Sequence, residues 1–210
     1  MPFEQNIFIN CPFDSAYKPI LQTLVFGSVY LGYRPLLSET VNAANSRISG
    51  IQKLIAQAKY SVHDLSRMES SKKNELARFN MPFELGIDIG CRKFGKKNHR
   101  TKCFLIFDKE RYRYQQAISD ISGNDIEVHE NEPEIALRKF RNWIRKIEER
   151  HIDSANKIWR LYNEFMGDFY DVAREDELSK DDMDEMPWDE FCYYIGEWVM
   201  GRQNFNYRGE

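Results

Sequence analysis

The chain has 210 residues, a net charge of −3, and 42% hydrophobic and 14% aromatic residues. That composition can bury a core and excludes wholesale disorder, while the nearly balanced charge gives no reason to expect nucleic acid or an anionic membrane as partner. No apolar run approaches the ~20 residues needed to span a bilayer, and Cys11, Cys91, Cys103 and Cys192 are too scattered for a zinc site or a disulfide framework. His63, His99, His129 and His151 lack metal-ligand spacing, and residues 1–6 have neither the basic nor the apolar stretch of an export leader. A cytoplasmic protein with free thiols, no metal and no cofactor is expected.

Residues 6–10 are a short apolar, β-branched run that ends in the turn cluster Cys11-Pro12-Phe13-Asp14-Ser15 and predicts a central strand. Ile20, Leu21, Leu24, Val25 and Leu31 recur at helical spacing over residues 16–32, where Gly32 suits the position after the last turn. Residues 34–38 predict a second strand with Pro35 near its start. Ile48, Ile51, Leu54 and Ile55 predict a helix over 46–58, and residues 59–64 a third strand ending at Asp64. A Ser- and Lys-rich loop, 65–80, leads to a helix opened by Pro82 that carries Leu85, Ile87, Ile89 and Cys91 to about Gly95. Residues 101–108 are nearly all apolar, as a strand covered on both faces should be. A polar, Tyr/Arg-rich helix is expected over 110–121, an edge strand over 125–129, and a helix from Pro133 to about Arg150.

Strands alternating with helices of these lengths predict an α/β fold over residues 1–150: a small flavodoxin-like or Rossmann-like parallel sheet flanked by helices. Residues 151–210 predict a helical C-terminal extension. There Ile158, Trp159, Tyr162, Phe165, Met166, Phe169 and Tyr170 share one helical face, an acidic loop spans 175–190, and a last helix runs from Trp188 to Met200 and ends at Gly201. The aromatic face can pack on the α/β domain or on itself, or it can serve a partner, including a second copy of the chain.

Open parallel sheets bind ligands beyond the carboxyl ends of their strands. That rule gathers Asn10, Phe13 and Asp14 after strand one, Ser38 and Glu39 after strand two, and Asp64 and Ser66 after strand three. It adds Asn80 and Glu84 from the next helix, then Asp108, Arg111, Tyr112 and Arg113 after strand four. In residues 78–86, Pro82 fits the first helical position with Asn80 or Met81 as N-cap, which puts Glu84 in the first turn. The helix dipole should then hold Glu84 ionised at neutral pH. A carboxylate so placed can attack or stabilise a cationic sugar carbon. Acidic residues also favour first turns for stability alone, and Asp14 and Asp64 could merely cap turns. No GxGxxG follows the first strand and neither GxxxxGK[ST] nor GxSxG occurs, which disfavours an ordinary dehydrogenase, a P-loop NTPase and a serine hydrolase.

Three segments carry a family resemblance: Ile7-Phe8-Ile9-Asn10 running into Cys11-Pro12-Phe13-Asp14, then His63-Asp64-Leu65-Ser66, then Met81-Pro82-Phe83-Glu84-Leu85-Gly86. Over roughly the first 110 residues the chain resembles the nucleoside 2-deoxyribosyltransferase-like group, whose fold is shared with TIR-like N-glycosidases. The resemblance implies that Glu84, in a Glu-Leu-Gly segment opening a helix, is the catalytic carboxylate. It implies that Asp64 binds the sugar and that the loop with Phe13 and Asp14 closes over the nucleoside. The implied reaction is cleavage of an N-glycosidic bond in a nucleotide, a nucleoside or NAD, with NAD as substrate rather than cofactor. Phe13 or Tyr112 would stack on the base, and Arg111 or Arg113 would hold a phosphate. A role in bacterial antiphage defence or toxicity is also implied. The chain departs from the transferases where their Asp-Ser-Gly-Thr-type stretch is replaced by Ala77-Arg78-Phe79-Asn80-Met81-Pro82-Phe83, which turns against a salvage transferase. The competing expectation is a non-catalytic nucleotide-sensing or protein-interaction module with a TIR-like fold, assembling through its C-terminal helices.

Overall fold

The computed structural model describes residues 2–38, 47–69, 79–116, 118–121 and 126–206, the last four of these for their backbone alone. Five strands, β1 (Asn6–Asn10), β2 (Arg34–Leu37), β3 (Tyr60–Asp64), β4 (Cys103–Asp108) and β5 (Ile126–Val128), pair in parallel in the order β2-β1-β3-β4-β5. Ile7 lies opposite Tyr60, and His63 opposite Ile106. This is the α/β fold that the alternating apolar runs predict, in the flavodoxin-like strand order, and its switch point falls between β1 and β3. β1 and β3 are buried along their whole length, because both faces of the sheet are covered.

The helices are α1 (Lys18–Tyr30), α2 (Arg47–Gln57), α3 (Asn80–Phe94), α4 (Pro133–Glu148), α5 (Ala155–Glu175), α6 (Lys180–Asp184) and α7 (Trp188–Asn206). The pleat of β1 sorts them. Ile7 and Ile9 face α1 and α4, whereas Phe8 faces α2 and α3 through Ile51, Ile55 and Ile87. α1 and α4 approach closely at Gly27, where a Cβ would stand 2.8 Å from Leu137 Cδ1. Gly32 follows α1 at φ +87°, the left-handed conformation that closes a helix without strain in glycine.

α5 and α7 cover the outer side of α1. The Phe26 ring lies 5.5 Å, centroid to centroid, from both Tyr162 and Phe165, and 6.0 Å from Trp198. The aromatic face of α5 is thus packed on the α/β layer, with Ile158, Tyr162, Phe165 and Phe169 buried and Tyr170 half exposed. One apolar cluster runs from Ile7 and Ile9 through Phe26 to Phe165 and Ile195.

Four local expectations are corrected. α3 opens at Asn80 with Phe79 in the N-cap position and no side-chain cap, so Pro82 is its third residue and Glu84 stands in the second turn. Proline is tolerated there because the first four helical N–H groups lack partners in any case. The helix expected over 110–121 is replaced by two 3₁₀ turns, Arg113–Gln116 and Ser119–Ile121, because Tyr112 at φ +62° breaks the run. The acidic stretch after Glu175 contains α6, whose first turn is closed by reciprocal bonds between Ser179 and Asp182. α7 continues beyond Gly201 to Asn206. Glu39, Ser46, Arg78 and Asp125 lie outside the described residues. Among the described residues, no helix is long and apolar enough to cross a membrane.

Candidate functional site

Asn10 ends β1 at the switch point. Its buried amide donates to Met81 O (2.9 Å) and to His63 Nδ1 (3.0 Å), which ties the start of α3 to the sheet. With Nδ1 accepting, the neutral His63 ring carries its proton on Nε2, 3.2 Å from Asp88 Oδ2. Asp88 also accepts from Ser61 Oγ (2.5 Å), and its Oδ1 lies 3.1 Å from Lys102 Nζ. Lys102 Nζ donates in turn to Ile55 O (2.8 Å) and Ala58 O. Burial alone would raise the Asp88 pKa, but the bond from His63, with the charge of Lys102 and the bond from Ser61, holds it below the usual carboxylate range. This sealed polar chain fixes the helix face that carries Glu84 one turn earlier.

Glu84 is 6% exposed, and its Oε2 is buried without a hydrogen-bond partner among the described residues. Burial pushes its pKa up to about 7, against the opposing charge of Arg47 at the start of α2. This reverses the ionised, low-pKa carboxylate predicted from a first-turn position. The dipole acts within the first turn, and one turn further in desolvation wins.

Asp64, at the end of β3, is wholly buried. Tyr17 Oη donates to its Oδ2 (2.6 Å) and Ser66 N–H to its Oδ1 (2.8 Å). His129 Nε2 lies 3.0 Å from Oδ2. Burial works to protonate Asp64, but His129, Ser66 and Tyr17 outweigh it and lower its pKa. Asp64 thereby joins three connections at the rim: the loops after β1, β3 and β5. His129 Nδ1 accepts from Asn131 N–H (2.9 Å), within a turn where Glu130 and Asn131 are both left-handed.

Asp108 ends β4. Its Oδ1 accepts from Arg113 Nε (2.9 Å) and Lys109 N–H (2.7 Å), and Arg113 also donates to Leu65 O (2.5 Å). Burial raises the Asp108 pKa despite Arg113. Asp108 Oδ2 and Ser66 Oγ, like Glu84 Oε2, are buried without partners among the described residues. Each such atom costs about 1–3 kcal/mol unless water or a ligand meets it. The rim therefore offers unsatisfied polar atoms and two carboxylates whose pKa values are pushed apart, Asp64 down and Glu84 up.

The remaining predicted residues are distributed differently. Phe13, 37% exposed, and Asp14 line a cavity of about 750 Å³ between the loop after β1 and the α5–α7 segment. Asp14 accepts from Tyr17 N–H (3.0 Å) and lies 3.5 Å from Arg67. Ser38 is buried beyond β2, and Asn80 is exposed at the first helical position. Arg111 and the exposed Tyr112 line a separate cavity of about 660 Å³ against β5, because the left-handed turn at Tyr112 carries them to that edge. Arg113 is the arginine brought to the strand ends, and there it is bound to Asp108. The strand-end rule passed over Tyr17 and His129, although His129 directly follows β5 and satisfies it. Among the described residues, none of these cavities is lined by Glu84 or Asp64, and no group of His, Cys, Asp and Glu could hold a metal. Comparison with known family models, curated proteins and solved structures finds no match.

Proposed function

We propose that the protein cleaves the N-glycosidic bond of a nucleotide or of NAD, with the Glu84 carboxylate acting at the anomeric carbon. One observation carries this reading: Glu84 is a buried carboxylate with an unpartnered oxygen and a pKa raised to about 7, on the helix that follows the central strand β3. In that role ionised Glu84 attacks the anomeric carbon as the C–N bond breaks. The bonding pair leaves with the base: a nucleotide's base takes a proton from water, whereas the nicotinamide of NAD, a pyridinium before cleavage, departs neutral without one. Water then hydrolyses the glycosyl ester. A desolvated carboxylate stabilises the cationic sugar carbon more strongly than one in water. Only its ionised fraction reacts, so its raised pKa sets the pH dependence.

Asp64 acts here as a positioning residue rather than the sugar ligand expected from the resemblance. Its Oδ1 fixes the Ser66 N–H and leaves Ser66 Oγ for a ribose hydroxyl. Asn10 holds the start of α3, and with it Glu84, against the rim through Met81 O. Depletion of the nucleotide or NAD would give the defence or toxicity role that the resemblance implies. A non-catalytic nucleotide-sensing or interaction module is the second reading. It is favoured by the sealing of Asp64, which has no exposed surface.

The test is incubation of wild type and Glu84→Gln with NAD, nucleotides and deoxynucleosides across pH 5.5–8.5, with mass-spectrometric detection of free base. Wild type is expected to release base at a rate that rises through about pH 7, and Glu84→Gln to lose about 10³-fold. Equal rates would remove Glu84 from the chemistry. No release from either protein, at concentrations that allow assembly, would transfer the reading to the sensing module.

A further inference from the structure

We propose that the cavity between the end of α1, the start of α5 and the last turns of α7 binds a phosphate-bearing small molecule of the nucleoside polyphosphate class. The cavity encloses about 770 Å³, within the range that takes a drug-sized ligand. Its lining brings together Arg150, Lys157, Arg160 and Arg202, with His151 beside them, against one carboxylate among the described residues, Asp153. The whole chain carries a net charge of −3, so this concentration of cations is local rather than compositional.

The cations are held in place without being neutralised. Arg160 and Arg202 share the single carboxylate of Glu164, the second at 2.6 Å. Lys157 pairs with Asp153 at 2.9 Å, and Arg150 donates to the uncharged carbonyl of Leu31 (3.0 Å). Four permanent cations thus face two carboxylates. These are solvent-exposed pairs that contribute little to stability, so an arriving phosphate can displace them. The Arg202 guanidinium lies 4.1 Å from the Trp198 ring centroid, and Trp198 Nε1 donates to Asp168 (2.7 Å), which fixes the arginine at the cavity mouth.

The shape selects the ligand. A concave site walled by three helices excludes a nucleic-acid duplex, and a surplus of two charges plus His151 suits a di- or triphosphate. Leu161 and Val199 supply apolar wall for a nucleoside. The site is distinct from the Glu84 rim. Tyr17, bonded to Asp64, precedes the 13-residue α1, and Tyr30, in this cavity, ends it; at 1.5 Å per residue that separates them by about 20 Å.

The experiment is calorimetric titration and thermal melting of the full chain with ATP and with inorganic triphosphate, at low and at raised salt. Inorganic triphosphate has no glycosidic bond, so its binding is independent of the proposed reaction. Wild type is expected to bind both and to weaken as salt rises. The double variant Lys157→Gln/Arg160→Gln should lose about tenfold or more in affinity while its ligand-free melt stays near wild type. Arg111→Gln, in the cavity against β5, should bind as wild type. The proposal is overturned if neither ligand binds at millimolar concentration in low salt, if the double variant binds as wild type does, or if Arg111→Gln is the variant that loses binding. ATP binding without triphosphate binding would place recognition in the nucleoside and also overturn it. If the double variant unfolds, Arg150→Gln alone carries the same expectation.

Discussion

A buried carboxylate with a free oxygen leaves a signature in stability as well as in reactivity. Glu84 has a folded-state pKa of about 7 against an ordinary 4.5. Its native form holds the proton more tightly than the unfolded chain, so its contribution to stability is fully present below about pH 4.5 and is lost as pH rises through 7. The shift corresponds to at most about 3 kcal/mol. Glu84→Gln removes the titration. Its melting temperature is expected to exceed that of wild type at pH 8 and to show no such gain at pH 5, and parallel melts at both pH values would contradict the burial argument. Asp64 has the opposite sign: its lowered pKa gives stability at neutral pH that disappears only in acid. At this scale Asn10, Asp64 and Ser66 were legible from strand-end position, and Glu84 from the proline-opened helix and the family resemblance. Their partners were not, since Tyr17 meets Asp64 across 47 residues and Asn10 meets His63 across 53. The protonation of Glu84 was misread because one helical turn decides between dipole and desolvation.

Elements were legible in proportion to the strength of their pattern. Every strand falls within two residues of its apolar run, because a strand covered on both faces announces itself by composition. Helix ends depend on single residues, and two ends show the contrast. α1 is followed by Gly32 at φ +87°, whereas α4 is followed by Glu149 at φ +49°, ψ +26°, the same left-handed region occupied by a residue with a Cβ. The strain at Glu149 is about 1 kcal/mol. Glu149→Gly is expected to raise the melting temperature by about 2–4 °C, measured by calorimetry. A fall would mean that the Glu149 side chain contributes more than its backbone conformation costs. Tyr112, also left-handed, had no such signal in the sequence, and the helix expected over 110–121 failed there.

For the molecule as a whole, an amphipathic stripe shows that a face is buried but not against what. The aromatic face of α5 was legible; its partner, Phe26 on α1, was not. Because Phe26 touches Tyr162, Phe165 and Trp198 at once, α5 and α7 extend the core of the α/β layer. Phe165 is almost fully buried and also packs against Phe169 and Phe191. Phe165→Ala should therefore cost about 3–5 kcal/mol in urea unfolding. A chain ended at residue 150 would expose Phe26 and the outer side of α1, and it is expected to lose cooperative unfolding and to aggregate. If that shortened chain instead unfolds in a single transition at a urea midpoint close to that of the full chain, the two parts are independent. The continuous core would then contribute packing without stability, contrary to what burial of these rings requires.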